Sequence, residues 1–401
     1  MDWQTAEDSA PSEFITDALA RTVLGKPPAT GAWRESDPAG DRHFAPLGAF
    51  EFESGQRLPF ARIAYETWGA LNADASNAVL VLHALTGDSH VTGSAGPGHR
   101  TDGWWPGIVG PGLAIDTERW FVVAPNMLGG CQGSTGPASA APDGEPWGGR
   151  FPFTTIRDQV NAQARFADVL GIARWAAVVG GSMGGMQALE WAVSYPERVA
   201  RAAIIAAPPL TMADQIGLNL VQLEAIENDP RFRGGDYYDA PDGEGPHRGL
   251  ALARRIALLN YRSPDELNGR FQRTWQSGIS PLGAGGRYAV ESYLDFHGNR
   301  FTRRFDANSY ITVVQAMNSH DVSRGRGSVA EALARVTART LVVGIDSDRQ
   351  FPLEGQREIA RAVPGNIDGD VPAIISSAFG HDGFLIEEER VTAQLRRLLD
   401  D

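Results

Sequence analysis

The sequence predicts an α/β fold with a mostly parallel, doubly wound sheet and a helical insertion, and three observations carry that expectation. Short apolar runs recur along the chain, of the kind buried on both faces of a parallel sheet: Ala78–Ala84, Trp120–Asn126, Ala176–Gly181 and Ala202–Pro208. Segments with helical spacing separate them. The rhythm then stops near Pro209 and returns only at Arg339, which leaves a long interior stretch of different character.

Residues 1–45 mix acidic, Pro, Gly and Ala residues without periodicity and read as a loosely held extension, disordered in part. From Phe50 the text FEFESG and RLPFARIAYETWG alternates apolar and polar positions, as half-buried strands do. Asp158–Gly171 has the spacing of an amphipathic helix, with Val160, Ala164, Phe166 and Leu170 forming its apolar stripe. Within 209–334, Asp214–Asp229 and Gly249–Arg262 read as helices between Gly-rich polar loops, so this stretch is expected to be a helical lid. Strands resume at Arg339–Ser347 and Val371–Gly380, and a helix over 387–399 closes the chain. The expected division is therefore an extension (1–45), a core made of 46–208 and 335–401, and a lid (209–334).

Composition narrows the chemistry. With 401 residues and 42% hydrophobic content the chain can bury a large core. A formal charge of -13 argues against nucleic acid or an anionic membrane as partner. Lys26 is the only lysine, which excludes a lysine base or Schiff base elsewhere. One cysteine, Cys131, rules out an intramolecular disulfide and reads as a small buried residue. The acidic start lacks an apolar signal core and no run reaches the roughly 20 apolar residues of a membrane span, so a cytoplasmic protein is expected.

The chemistry concentrates in Gly180-Gly-Ser-Met-Gly184, a G-x-S-x-G element with an apolar strand before it and a helical segment after it. In that setting the serine sits on a sharp strand-to-helix turn as a nucleophile, in the manner of the α/β-hydrolase fold. Of eight histidines, only His381 follows a C-terminal strand, in AFGHDGF, and it is the expected base. The acid should end the strand TLVVG, which leaves Asp346 or Asp348. Two backbone N–H groups should form an oxyanion hole: that of Met183, after the serine, and that of Leu85 in the early loop HALTGDSH. His83 and His90 lack a third ligand at useful spacing, so packing or hydrogen bonding is expected of them and no metal is. A P-loop motif is absent.

Taken together, HALTGDSH, NMLGGCQGSTGP, GGSMGGMQALEW, ADQIG, ARRIALLNYRS, NSHDVSRGRG, SDRQFP and GHDGFLIE resemble the homoserine O-acetyltransferases of the α/β-hydrolase type, from about Phe50 to the C-terminus. The resemblance implies Ser182 as nucleophile, Asp348 rather than Asp346 as the acid, and His381 as base. It also implies that Arg254, in the ARR helix, and Asp382 bind the amino-acid substrate. An arginine suits a carboxylate and an aspartate suits an ammonium.

The implied reaction is a ping-pong transfer: Ser182 takes an acetyl group from acetyl-CoA, and the hydroxyl of L-homoserine then takes it from the enzyme, in methionine biosynthesis. No permanently bound cofactor is expected, and a homodimer joined through segments such as ADQIGLNLVQLEAI is. Succinyl-CoA as donor, serine as acceptor, or simple ester hydrolysis are the rival readings on the same triad. A non-enzymatic binding module is disfavoured, because every expected triad position is filled.

Overall fold

In a computed structural model of the protein, residues 25–283 and 285–400 are described. An eight-stranded sheet runs through the molecule in the order β1-β2-β6-β3-β7-β8-β9-β10. Its first two strands, β1 (His43–Glu51) and β2 (Arg57–Trp68), form an antiparallel hairpin. The strands β3 (Ala78–Leu82), β6 (Phe121–Pro125), β7 (Ala177–Gly181), β8 (Arg201–Ile205), β9 (Arg339–Ile345) and β10 (Ala373–Ile375) are all parallel. A two-stranded pair, β4 (Val109–Gly110) with β5 (Ile115–Asp116), stands apart from the sheet.

The unbroken apolar runs of the sequence follow from burial on both faces. Leu80, Leu82, Val178, Ile204 and Val342 point into one core layer, and their neighbours Val79, Val81, Val179, Ile205 and Val343 point into the other. On the first face lie α1 (Ile156–Val169) and α2 (Met183–Ser194). A capping box starts α1: Thr155 and Asp158 each accept the other's backbone N–H. Val160, Ala164 and Phe166 of the expected stripe are buried, and Leu170 packs against them at the helix end.

Between β8 and β9 the chain forms α3 (Ala213–Glu227), α4 (His247–Tyr261), α5 (Pro264–Phe271), α6 (Ala289–Phe301), α7 (Ala307–Asn318) and the short α8 (Val329–Leu333). After β9 come α9 (Leu353–Ala362), α10 (Gly383–Ile386) and α11 (Glu388–Leu399).

Two differences from the sequence reading have plain causes. Only Ala373–Ile375 of the expected strand 371–380 pairs with β9, because the chain then turns inward: Asp346 accepts the N–H of Ser377, and Ser347 accepts that of Gly380. The sheet also begins before residue 45, at His43. The stretch ahead of it is held, since Trp33 donates its N–H to the Cys131 carbonyl at 2.9 Å and Ala32 is buried. Those contacts are to residues a hundred positions away and leave no local pattern. Residues 1–24 of the expected extension lie outside the described residues.

Packing around the β7–α2 junction demands glycine. A Cβ on Gly184 would stand 2.1 Å from the Leu82 carbonyl oxygen, and one on Gly180 would stand 2.2 Å from the Gly184 oxygen. Both neighbours are backbone and cannot step aside. Gly184→Ala is therefore expected to lower the unfolding free energy by at least about 1–3 kcal/mol, the usual cost of overpacking, measured by urea denaturation. An unchanged midpoint would show that β3 and α2 are not pressed together here.

Candidate active site

The residue at the N-terminus of α2, Ser182, has φ 58° and ψ -125°, a conformation that side-chain-bearing residues avoid. Its N–H is fixed to the Ile205 carbonyl at 2.9 Å, so the strain is held by the adjacent strand. This turn pushes Oγ away from the sheet into a pocket lined by Leu85, Arg254, Tyr261, His297 and His381. The hydroxyl lies 2.7 Å from Nε2 of His381. On the other side of that ring, Nδ1 lies 2.7 Å from Oδ2 of Asp348. Asp348 is held in turn by the N–H of Phe351, which donates to Oδ1 at 2.9 Å.

The two aspartates that spacing left equivalent are thereby separated: Asp348 is buried against His381, whereas Asp346 is exposed and serves the turn after β10. Burial works against a charged His381, yet the Asp348 carboxylate outweighs it, and the imidazole titrates above its ordinary value. With Asp348 accepting from Nδ1–H, Nε2 is left to accept the serine proton. Tyr261, Phe351 and Phe384 ring the imidazole at centroid distances of 5.7, 5.2 and 5.6 Å, which limits water around it.

Leu85 and Met183 stand beside the serine on two different elements, and among the described residues neither N–H has an acceptor. The peptide plane carrying the Leu85 N–H is itself fixed. His83 donates from Nδ1–H to the Ala84 carbonyl at 2.8 Å, while its Nε2 accepts the N–H of Met127 at 3.2 Å. Gly87 donates to the same Ala84 carbonyl at 3.0 Å, closing a turn around Leu85 and Thr86. His83 is thus committed to one tautomer, and burial lowers its pKa and keeps it neutral.

His90, the other histidine of this loop, belongs to a separate buried network. It donates to Glu66 at 2.9 Å, and His99 stacks on it at 3.9 Å. Asp41, Glu66, His90 and His99 bring ligand-type atoms within 4.8 Å of one another, a grouping the sequence reading missed because Asp41 and Glu66 come from the hairpin region. One nitrogen of each ring is engaged: Nδ1 of His90 with Glu66, and Nε2 of His99 accepting the Asp41 N–H at 3.2 Å. A hydrogen-bonded brace accounts for this arrangement. Cys131 is buried, and burial pushes its thiol up to about 12, the opposite of an activated nucleophile.

Arg254 and Asp382 both line the serine pocket. Arg254 lies over the Phe301 and Tyr261 rings at 5.2 and 5.8 Å, and among the described residues no carboxylate pairs with it. Asp382, in contrast, is 3.1 Å from Nε of the buried Arg262. Sequence reasoning missed Arg262, and it missed His297, whose ring is pushed down to about 3 by burial and by the arginines nearby, Arg254 first. The pocket therefore holds an unpaired guanidinium, a guanidinium-bound carboxylate and a neutral imidazole around a serine. Its volume is about 70 Å³.

Comparison with known proteins places these features in context. Residues 77–385 match the alpha/beta hydrolase fold family. A homoserine O-acetyltransferase of Leifsonia xyli subsp. xyli is 71% identical over 99% of both chains, and one of Thermobifida fusca is 59% identical over 93% of this chain and 97% of its own. Among solved structures, a homoserine O-acetyltransferase from Bacillus anthracis superposes with TM-score 0.79 at 28% identity, covering 89% of this chain and 98% of its own. Esterase E22 superposes with TM-score 0.78 at 25% identity, covering 89% of this chain and 99% of its own.

The raised pKa of His381 sets the pH dependence of serine acylation, because only the neutral ring can accept the proton. Burst acylation of Ser182 by p-nitrophenyl acetate is expected to fall as pH drops through a value above that of a free imidazole. Asp348→Asn removes the carboxylate that raises it and should cut the burst rate by about 10⁴-fold. A rate independent of pH between 5 and 8, the range in which free histidine titrates, would contradict the assignment of the base.

Proposed function

This chain belongs to the homoserine O-acetyltransferase family of the alpha/beta hydrolase fold, and from that membership we infer that it moves an acetyl group from acetyl-CoA to the hydroxyl of L-homoserine. One observation supports transfer to an amino acid over release to water: Arg254, a guanidinium without a carboxylate partner, faces the same small pocket as Ser182.

In the first half-reaction His381 takes the Ser182 proton as Oγ attacks the thioester carbonyl. The N–H groups of Leu85 and Met183 receive the oxyanion, a contribution of about 3 kcal/mol per donor. The tetrahedral intermediate collapses, the C–S bond breaks, and CoA leaves with the proton from His381. In the second half-reaction the homoserine hydroxyl gives its proton to His381 and attacks the acetyl carbonyl, and the ester bond to Ser182 breaks as His381 returns that proton to Oγ. The Asp348 carboxylate stabilises the imidazolium in both halves.

Arg254 would clasp the homoserine carboxylate and Asp382 its ammonium, with Arg262 keeping Asp382 in place. Orientation of this kind is what lets an alcohol at modest concentration outcompete solvent, since effective molarities of roughly 10⁵ M are attainable. An esterase reading is kept in view by the resemblance to esterase E22, and it lacks a use for the Arg254 clamp.

The product, O-acetyl-L-homoserine, serves methionine biosynthesis. A cytoplasmic setting accords with the lone buried cysteine, and among the described residues no helix is long and apolar enough to cross a membrane. A homodimer is supported by apolar side chains left in solvent on one helix: Met212, Ile216, Leu220 and Val221 are 41–58% exposed along and just before α3.

Two variants test the mechanism. Ser182→Ala is expected to abolish acetyl-enzyme formation, read as the loss of a single acetyl adduct by mass spectrometry after exposure to acetyl-CoA. An adduct that persists at another residue would remove Ser182 from the reaction. Arg254→Ala is expected to raise the homoserine KM by about 10²-fold, the worth of a charge-assisted pair, while acetylation by acetyl-CoA stays within a few-fold. Equal losses in both half-reactions would mean that Arg254 does not hold the acceptor.

A further inference from the structure

His297, on α6, is a buried polar side chain that no protein group satisfies. Its residue is 6% exposed, and among the described residues neither ring nitrogen has a hydrogen-bond partner. Most buried polar side chains are bonded, so an exception calls for a reason. The ring lies in the wall shared by the serine pocket and a second cavity, of about 440 Å³, that adjoins it. We propose that His297 donates its N–H to the carboxylate of the acceptor amino acid and, with Arg254, holds that group from two sides. The proposal rests on homoserine being the acceptor.

The packing of two helices brings these side chains together. Gly298, next to His297, lets α6 close on α4, since a Cβ there would stand 2.9 Å from the Ala251 carbonyl oxygen. Arg254 of α4 lies over the Phe301 ring at 5.2 Å, and Phe301 is one helical turn beyond His297 on the same side of α6. Tyr293, one turn before it, and Phe296 meet the imidazole edge-on at centroid distances of 4.4 and 5.3 Å. Aromatic packing thus places the ring and leaves its nitrogens for whatever enters the pocket.

Chemistry selects the occupant. A carboxylate has about four lone-pair positions, and a guanidinium fork fills two of them. In a pocket of about 70 Å³ the others need donors too, because a buried carboxylate with unfilled positions is costly. His297 supplies a neutral donor. Burial, and then the guanidiniums of Arg254 and Arg262, hold its pKa down to about 3, so it adds an N–H without adding a third cation. The same value keeps it out of the proton relay. So weak a base takes no proton from a hydroxyl near neutral pH, and the relay through His381 is complete without it.

The test compares two acceptors on the full-length enzyme: homoserine, and 3-aminopropan-1-ol, which keeps the hydroxyl and ammonium and lacks the carboxylate. The quantity measured is the ratio of their kcat/KM values with acetyl-CoA as donor. Both values come from one sample, so any loss of folded enzyme cancels. His297→Leu is expected to lower the preference for homoserine by about tenfold or more, the worth of a hydrogen bond to a charged group. His297→Gln keeps an N–H donor and is expected to recover most of that preference. An unchanged ratio in His297→Leu, or the same fall in both variants, would overturn the proposal and leave homoserine as the acceptor. Wild type that acetylates Ser182 and passes nothing to homoserine would overturn the acceptor reading, and this proposal with it.

Discussion

One imidazole joins three distant parts of the chain. His381 touches Ser182, 199 residues earlier, and Asp348, 33 residues earlier, at 2.7 Å on each side. Each partner is delivered by the end of a parallel strand: Ser182 by β7, Asp348 by the turn after β9, and His381 by the turn after β10. The register of that sheet is therefore a condition for the site. The glycines at 180 and 184 are part of it, because they let β7 and α2 close up until the serine is forced into its strained turn.

The core of the molecule supplies the proton relay, and the helical stretch between β8 and β9 contributes further side chains to the pocket around it. Arg254, Tyr261, Arg262 and His297 all descend from α4, its end and α6 into the pocket above the serine. The relay alone would suit an esterase. A guanidinium with no carboxylate partner among the described residues lines the small pocket beside the serine, and a larger cavity rich in arginines adjoins it. Selectivity then comes from electrostatics arranged around a nucleophile common to many chemistries.

What could be read from the sequence was what is local or strictly ordered. Ser182 announces itself, because a strained turn between a buried strand and a helix needs small residues on both sides. The strands were legible because burial on two faces removes polar positions altogether. Asp346 and Asp348 were not separable by spacing, since the choice depends on which side of a turn meets a histidine 33 residues on. Arg262 and His297 were invisible for a related reason: helical periodicity marks a buried face and does not say whether that face meets core or a cavity. The His83 contact to the Ala84 carbonyl and the Glu66–His90–His99 brace join elements whose proximity only the fold creates.

The central claim is that an acetyl group on Ser182 passes to a clamped amino acid in preference to solvent. Its most direct test is the fate of isolated acetyl-enzyme mixed with millimolar homoserine, with acetate and O-acetylhomoserine quantified from the same sample. The account predicts that the amino-acid ester dominates and that acetate dominates only when homoserine is withheld. Acetate as the main product in both mixtures would contradict it.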